Sequence, residues 1–106
     1  MLFELRQYRT KPGQRERWVK FMDEVIIPYQ ISKGMVVVGS FVGEAEEDLY
    51  VWIRRFDNEA ERERLYKEVY ENDYWQNEIS PQVGEMIDRT RTVVYRMTPT
   101  PKSVIR

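Results

Sequence analysis

Apolar and polar residues alternate from Leu2 to Thr10, with Glu4, Arg6 and Tyr8 on one face and Phe3, Leu5 and Gln7 on the other. That two-residue period predicts a β-strand. Lys11-Pro12-Gly13 breaks it, and beyond the break Trp18, Phe21, Met22, Val25, Ile26 and Tyr29 recur at helical spacing, opposite Arg15, Arg17, Lys20, Asp23 and Glu24. The pattern is an amphipathic helix with one wet face. Pro28 should kink or end it, with Gly34 as its C-cap. Met35 to Val42, rich in β-branched residues, reads as a second strand in which Gly39 marks a bulge. Leu49 to Phe56 is the third strand, joined to the second as a hairpin through the acidic stretch Gly43 to Asp48. Asn58 and Glu61 fit the N-cap and third helical position of a capping box, predicting a helix from Glu59 to about Tyr70. Asp73 is placed as the cap of a short helix holding Tyr74, Trp75 and Ile79, which Pro81 ends or redirects. Arg89 to Met97 alternates as a fourth strand, and Thr98-Pro99-Thr100-Pro101 after it should be extended.

Two stretches of this pattern are one unit written twice. Leu2 to Lys20 aligns without gaps on Leu49 to Lys67, sharing Leu2/Leu49, Arg15/Arg62, Glu16/Glu63, Arg17/Arg64 and Lys20/Lys67. Two copies of a strand-helix-strand unit predict an α+β, ferredoxin-like βαββαβ domain with a four-stranded antiparallel sheet. The domain is assigned to residues 1–98, and residues 99–106 form a C-terminal tail docked on a dimer. Applied literally, the repeat puts Phe3, Leu5, Gln7, Tyr50, Trp52, Arg54 and Phe56 on the sheet face away from the helices and turns Leu49, Val51 and Ile53 toward them. An open face so rich in aromatic surface predicts back-to-back pairing of two sheets in a homodimer.

Composition narrows the chemistry. At 106 residues there is room for one core, and 17 basic against 18 acidic residues leave no one-signed surface for nucleic acid or an anionic membrane. No apolar run reaches the roughly 18 residues of a membrane span, and the first residues lack a signal-peptide core, so cytoplasm is the expected location. Cysteine and histidine are both absent. Disulfides, thiolate nucleophiles and zinc–thiolate sites are thereby excluded, as is the usual neutral-pH base. The sequence calls for no metal and no cofactor.

Glu4, Arg6 and Tyr8 carry the candidate chemistry, because three polar groups facing the helices from one strand must either pair or face a cavity. One reading is an internal network in which Glu4 and Arg6 form a buried ion pair capped by Tyr8. The other makes Arg6 the anchor for a carboxylate or carbonyl oxygen and Tyr8 a hydrogen-bond donor or acid. Trp18, Phe21, Tyr29, Tyr66 and Trp75 could wall a pocket between helices and sheet, and aromatic residues are 13% of the chain. Glu4, Arg6, Tyr8, Trp18, Tyr29, Tyr66 and Trp75 are the candidate ligand-binding residues, with Arg6, Tyr8 and Glu4 the catalytic candidates. The Arg-Glu-Arg triplets at 15–17 and 62–64 read as solvated helix faces.

The run Glu4-Leu5-Arg6-Gln7-Tyr8-Arg9-Thr10-Lys11-Pro12-Gly13 resembles the opening signature of the NIPSNAP family, Glu-Leu-Arg-x-Tyr-x-x-Lys-Pro-Gly. Phe56-Asp57 ahead of an Ala-Glu-Arg helix, and Asp73 with Trp75 after it, are similar to the later family pattern. The resemblance implies a dimeric α/β-barrel of ferredoxin-like subunits, with Glu4, Arg6, Tyr8, Lys11 and Trp75 at family positions. It implies no assigned activity. Related dimeric barrels include cofactor-independent monooxygenases acting on electron-rich aromatic substrates, and haem binders that ligate iron through histidine, which this chain lacks. Trp52 stands two residues before the position where the resemblance places a tryptophan, and Arg54 occupies that position. The expectation is a homodimer binding a small hydrophobic or aromatic molecule. A monooxygenase or isomerase and a structural interaction module are the alternatives.

Overall fold

The computed structural model describes residues 1–106. Strands β1 (Leu2–Arg9), β2 (Val36–Val42), β3 (Leu49–Phe56) and β4 (Val93–Met97) form one antiparallel sheet in the order β2-β3-β1-β4. This is the ferredoxin-like arrangement that the repeat predicts: each half sends one strand to the centre and one to an edge. No helix is long and apolar enough to cross a membrane.

Both helical arms contain a π-helical turn just ahead of a proline. Helix α1 (Arg15–Phe21) passes through a π-helical turn at Met22–Ile26 into α2 (Ile27–Ser32), which carries Pro28 in its first turn. Helix α3 (Glu59–Tyr70) is followed by a π turn at Tyr74–Ile79 and then α4 (Ser80–Met86), with Pro81 in its first turn. A proline inside a helix lacks an N–H and collides with the carbonyl four residues back. Here the chain widens ahead of each one, with Ile27 N–H donating to the Met22 carbonyl and Ser80 N–H to the Trp75 carbonyl, each five residues earlier. Pro28 and Pro81 therefore reshape helices that continue past them. Gly34, at a φ of 106°, follows α2 in the left-handed conformation of a C-cap glycine. Asn58 Oδ1 accepts from Glu61 N–H at 2.8 Å and caps α3. The Asp73 side chain makes no cap bond, and Asn72 Oδ1 instead accepts from Trp75 N–H at 2.8 Å. Arg89–Arg91 form a short 3-10 turn, so β4 begins at Val93. The β2/β3 register shifts between Val37 and Gly39, a bulge whose extra residue is Val38, directly before the predicted glycine.

The predicted faces of β3 are reversed. Glu4 stands opposite Arg54, Arg6 opposite Trp52 and Tyr8 opposite Tyr50, and residues opposite each other share a face. Tyr50, Trp52, Arg54 and Phe56, all 1–2% exposed, point to the helices, while Leu49, Val51 and Ile53 are only half-buried on the far side. The reason lies in the connections. Five residues separate β1 from α1, but only Asp57 and Asn58 separate β3 from α3. At the 47-residue offset the two strands coincide end to end while α3 starts three residues before the position aligned with the start of α1, so the repeat does not hold one structural register throughout, and a shift by an odd number of residues exchanges the faces of a strand.

Ten buried residues around Trp18, Met22, Trp52, Ile79 and Met86 make the larger core, and Met35, Phe56, Leu65 and Val69 a smaller one. Arg54 lies on β3 between Trp52 of the first cluster and Phe56 of the second. The C-terminal tail turns at Pro101–Lys102, and the Arg106 carbonyl accepts from Arg55 Nε at 3.1 Å.

Candidate functional site

Two arginines enter the layer between sheet and helices, and their surroundings differ. Arg54 is 1% exposed and Glu4 fully buried, and Arg54 Nη2 donates to Glu4 Oε1 at 2.8 Å. Arg54 Nη1 donates to Gln30 Oε1 at 2.9 Å and to the Tyr70 hydroxyl at 2.7 Å. The other Glu4 oxygen accepts from Arg62 Nε at 2.6 Å, and the Tyr66 hydroxyl donates across both carboxylate oxygens at 2.6 and 2.8 Å. Burial alone would raise the Glu4 carboxyl, but the Arg54 charge and the bonds from Tyr66, Arg62 and Arg54 hold it below its ordinary value. Burial also works against the Arg54 cation, which Tyr70, Tyr66 and Glu4 together keep firmly protonated. Burial pushes the Tyr66 phenol up to about 12 against the pull of Arg54. Among the buried side-chain nitrogens and oxygens of this network, only Arg54 Nε lacks a partner.

Arg6 has no such acid. Its Nε donates to the Tyr8 hydroxyl at 2.8 Å, no partner in the chain meets its two Nη groups, and Glu4 is committed to Arg54 and Arg62. The predicted Glu4–Arg6 ion pair is thus absent, and the three polar residues of β1 divide. Glu4 is spent in an internal network, whereas Arg6 and Tyr8 line a cavity of about 610 Å³ between sheet and helices. That is the size of small-molecule sites.

The cavity walls come from every layer. Strand β3 supplies Trp52, α1 and its π turn supply Trp18, Met22 and Ile26, and α3 supplies Tyr66 and Tyr70. Trp75 and Ser80 come from the second π turn and α4, and Arg89 and Thr92 stand where the chain enters β4. Both π turns therefore border the cavity, a placement frequent at functional sites. Phe21 and Tyr29 pack against the core without lining it. Tyr29 instead donates its hydroxyl to the Val69 carbonyl at 2.9 Å and stacks on Trp75. Glu4 is likewise absent from the lining.

Hydrogen-bond donors dominate the polar lining. The Tyr8 oxygen accepts from Arg6 Nε and, at 3.1 Å, from Trp52 Nε1, so both its lone pairs are taken and its own proton is unspent. The Tyr70 oxygen is filled in the same way by Arg54 and Gln30. Trp18, 1% exposed, has a buried Nε1–H with no partner. No Asp or Glu lines the cavity.

Arg54, Arg62, Gln30 and Tyr70 were outside the sequence-based candidate list. The reversed β3 faces hid Arg54, and Arg62, read as part of a solvated triplet, reaches Glu4 from the first turns of α3. With β3 in its true phase, Tyr50, Trp52, Arg54 and Phe56 form one buried row in which a charge must find a partner.

The NIPSNAP family model matches residues 3–102. The chain belongs to the NIPSNAP family. It is similar to a NIPSNAP family protein with unknown function from Agrobacterium tumefaciens at 23% identity and a TM-score of 0.88, covering 100% of this chain and 94% of that one. An uncharacterized NIPSNAP domain protein from Burkholderia xenovorans superposes with a TM-score of 0.85 at 15% identity, covering 97% and 98% of the two chains. A structure described as an antibiotic biosynthesis monooxygenase has a TM-score of 0.69 at 16% identity over 95% and 100%. Likeness at these identities carries the fold alone. No curated protein matches the chain.

Proposed function

We propose that this NIPSNAP chain is a cytoplasmic homodimer that binds a small hydrophobic or aromatic molecule in the cavity between sheet and helices. The observation carrying this reading is Arg6, a guanidinium with both Nη groups unpartnered, set in a cavity walled by Trp18, Trp52, Tyr66, Tyr70 and Trp75. A half-buried cation without a counter-ion contributes little to a purely structural part, and suits a site where a ligand completes it. The homodimer is supported by the open face of the sheet, where Phe41, Val93, Tyr95 and Met97 are 37–56% exposed beside half-buried Leu5, Val51 and Ile53. A second copy would cover that face. Native mass spectrometry of the protein purified from its own host tests both parts. A dimer carrying an additional small-molecule mass is expected, and a bare monomer would overturn the reading.

Tyr8 favours one second reading, an enzyme of the monooxygenase or isomerase type in which the substrate supplies the reactivity. Its unspent proton beside Arg6 suits protonation of an enolate or phenolate oxygen that Arg6 stabilises. Glu4, ionised and outside the cavity lining, is not placed to move that proton. Oxygen consumption with phenol and quinol substrates no faster than without protein would remove the monooxygenase form of this reading. A structural interaction module would be left if neither binding nor turnover is found.

A further inference from the structure

We infer that the cavity takes a carboxylate, an aromatic or alicyclic acid whose anionic end seats on Arg6 and Tyr8 while its ring lies among the aromatic walls. The inference rests on the cavity-binding reading and specifies the ligand's charge. The two arginines provide an internal comparison. Arg54, inside the same layer, is neutralised by Glu4 and supported by Gln30, Tyr66 and Tyr70. Arg6 has the Tyr8 oxygen alone, bonded through Nε, which leaves the Nη edge free for a bidentate carboxylate. Beside it the Tyr8 proton is unspent, because its oxygen is saturated by Arg6 and Trp52.

Trp18 adds an independent observation. Its indole N–H is buried without an acceptor, it lines the same cavity, and its ring stands edge-on to that of Tyr8 at 5.8 Å. This N–H is a further donor beside the Arg6 site that no group of the protein satisfies. At the entrance to β4, Arg89 is exposed and donates only to the Ser80 carbonyl and hydroxyl, so a second cation without an acid partner borders the cavity. Guanidinium, phenol and indole are donors, and no lining carboxylate competes with them. A neutral carbonyl would use one of these bonds and leave the Arg6 charge uncompensated, whereas a carboxylate satisfies the donors and the charge together.

The test compares phenylacetate with phenylacetamide, which share a ring and differ in charge, on the full-length wild-type chain near neutral pH. Calorimetry gives the affinities, and fluorescence of Trp18, Trp52 and Trp75, all lining residues, reports occupancy of the cavity. The acid is expected to bind about tenfold to a hundredfold tighter than the amide, the range of a hydrogen bond to a charged group. In Arg6→Gln that preference should fall to within a few fold. Equal affinity of acid and amide for the wild type would overturn the carboxylate inference while leaving the cavity reading intact. Failure of both compounds to perturb the tryptophans up to their solubility limits would overturn the cavity reading and this inference with it. The wild-type comparison needs no variant to fold.

Discussion

Replacing Glu4 with Gln removes one negative charge from the centre of the helix-facing layer and keeps the side chain's shape. The carboxylate accepts from Arg54 at 2.8 Å, from Arg62 at 2.6 Å and from Tyr66 at both oxygens. The amide would turn an NH2 toward one of these donors and strand Arg54, which is 1% exposed. Breaking a buried ion pair from one side costs about 3–5 kcal/mol, a large part of the roughly 5–15 kcal/mol by which a domain is stable. At about 4 °C per kcal/mol for a domain near 100 residues, the Tm should fall by on the order of 15 °C. A double-mutant cycle separates the pair from its surroundings. Arg54→Met alone leaves Glu4 with Arg62 and Tyr66, and the double variant no longer strands a charge. Its loss should undershoot the sum of the two singles by about 2–3 kcal/mol. Urea unfolding followed by far-UV circular dichroism measures all four proteins. A Glu4→Gln loss under about 1 kcal/mol, or a coupling near zero, would refute the claim that Arg54 and Glu4 form one structural unit.

Arg6 should behave in the opposite way. Arg6→Gln forfeits one donated bond to Tyr8, whose oxygen keeps Trp52, so the loss should stay within about 1 kcal/mol; a loss of 3 kcal/mol or more by urea titration would place Arg6 in the structural network. Acid should destabilise the wild type through Glu4. Its carboxyl is held below the reference 4.5 in the folded chain, so the stabilisation it confers is complete above about pH 4.5 and disappears as pH falls through the folded value. The stability gap between wild type and Glu4→Gln should therefore narrow from pH 6 toward pH 3, and a constant gap would contradict the cause given for the shift. On the open sheet face, Ile53→Lys should convert a dimer to a monomer in sedimentation velocity with the circular dichroism spectrum unchanged. A wild type that already sediments as a monomer would contradict the proposed pairing.

The fold was legible because periodicity and punctuation acted together. Alternation in Leu2 to Thr10, the glycine at the β2 bulge, the Asn58 cap and the strand-helix repeat led to the observed sheet order without tertiary information. The phase of β3 was not legible from the repeat, since the strands align end to end at an offset of 47 whereas connections of five and two residues leave the helix starts three residues out of step, a difference that an ungapped alignment hides. That error removed Arg54 from the buried layer and made Glu4 and Arg6 look like natural partners. The π turns were hidden for a related reason. Pro28 reads locally as a kink or an end and Pro81 as an end or a redirection, and neither residue by itself signals the hydrogen bond to the carbonyl five residues back that widens the helix ahead of it. The division of β1 into a structural Glu4 and an unpaired Arg6 depends on Arg54, Arg62 and Tyr66, 50, 58 and 62 residues away in sequence.

The central claim is that the Arg6 cavity is a binding site for an anionic ligand, and the indole N–H signals test it most directly. Trp18, Trp52 and Trp75 all border the cavity, and their three cross-peaks in a proton–nitrogen correlation spectrum can be assigned by single Trp→Phe variants. On titration with phenylacetate the Trp18 signal should move downfield as its unpartnered N–H gains an acceptor. The Trp52 signal should shift with the rearranged Tyr8 hydroxyl, both should saturate together, and both should stand still in Arg6→Gln. Three indole signals that stay fixed in the wild type at saturating phenylacetate, or that move equally in Arg6→Gln, would contradict it.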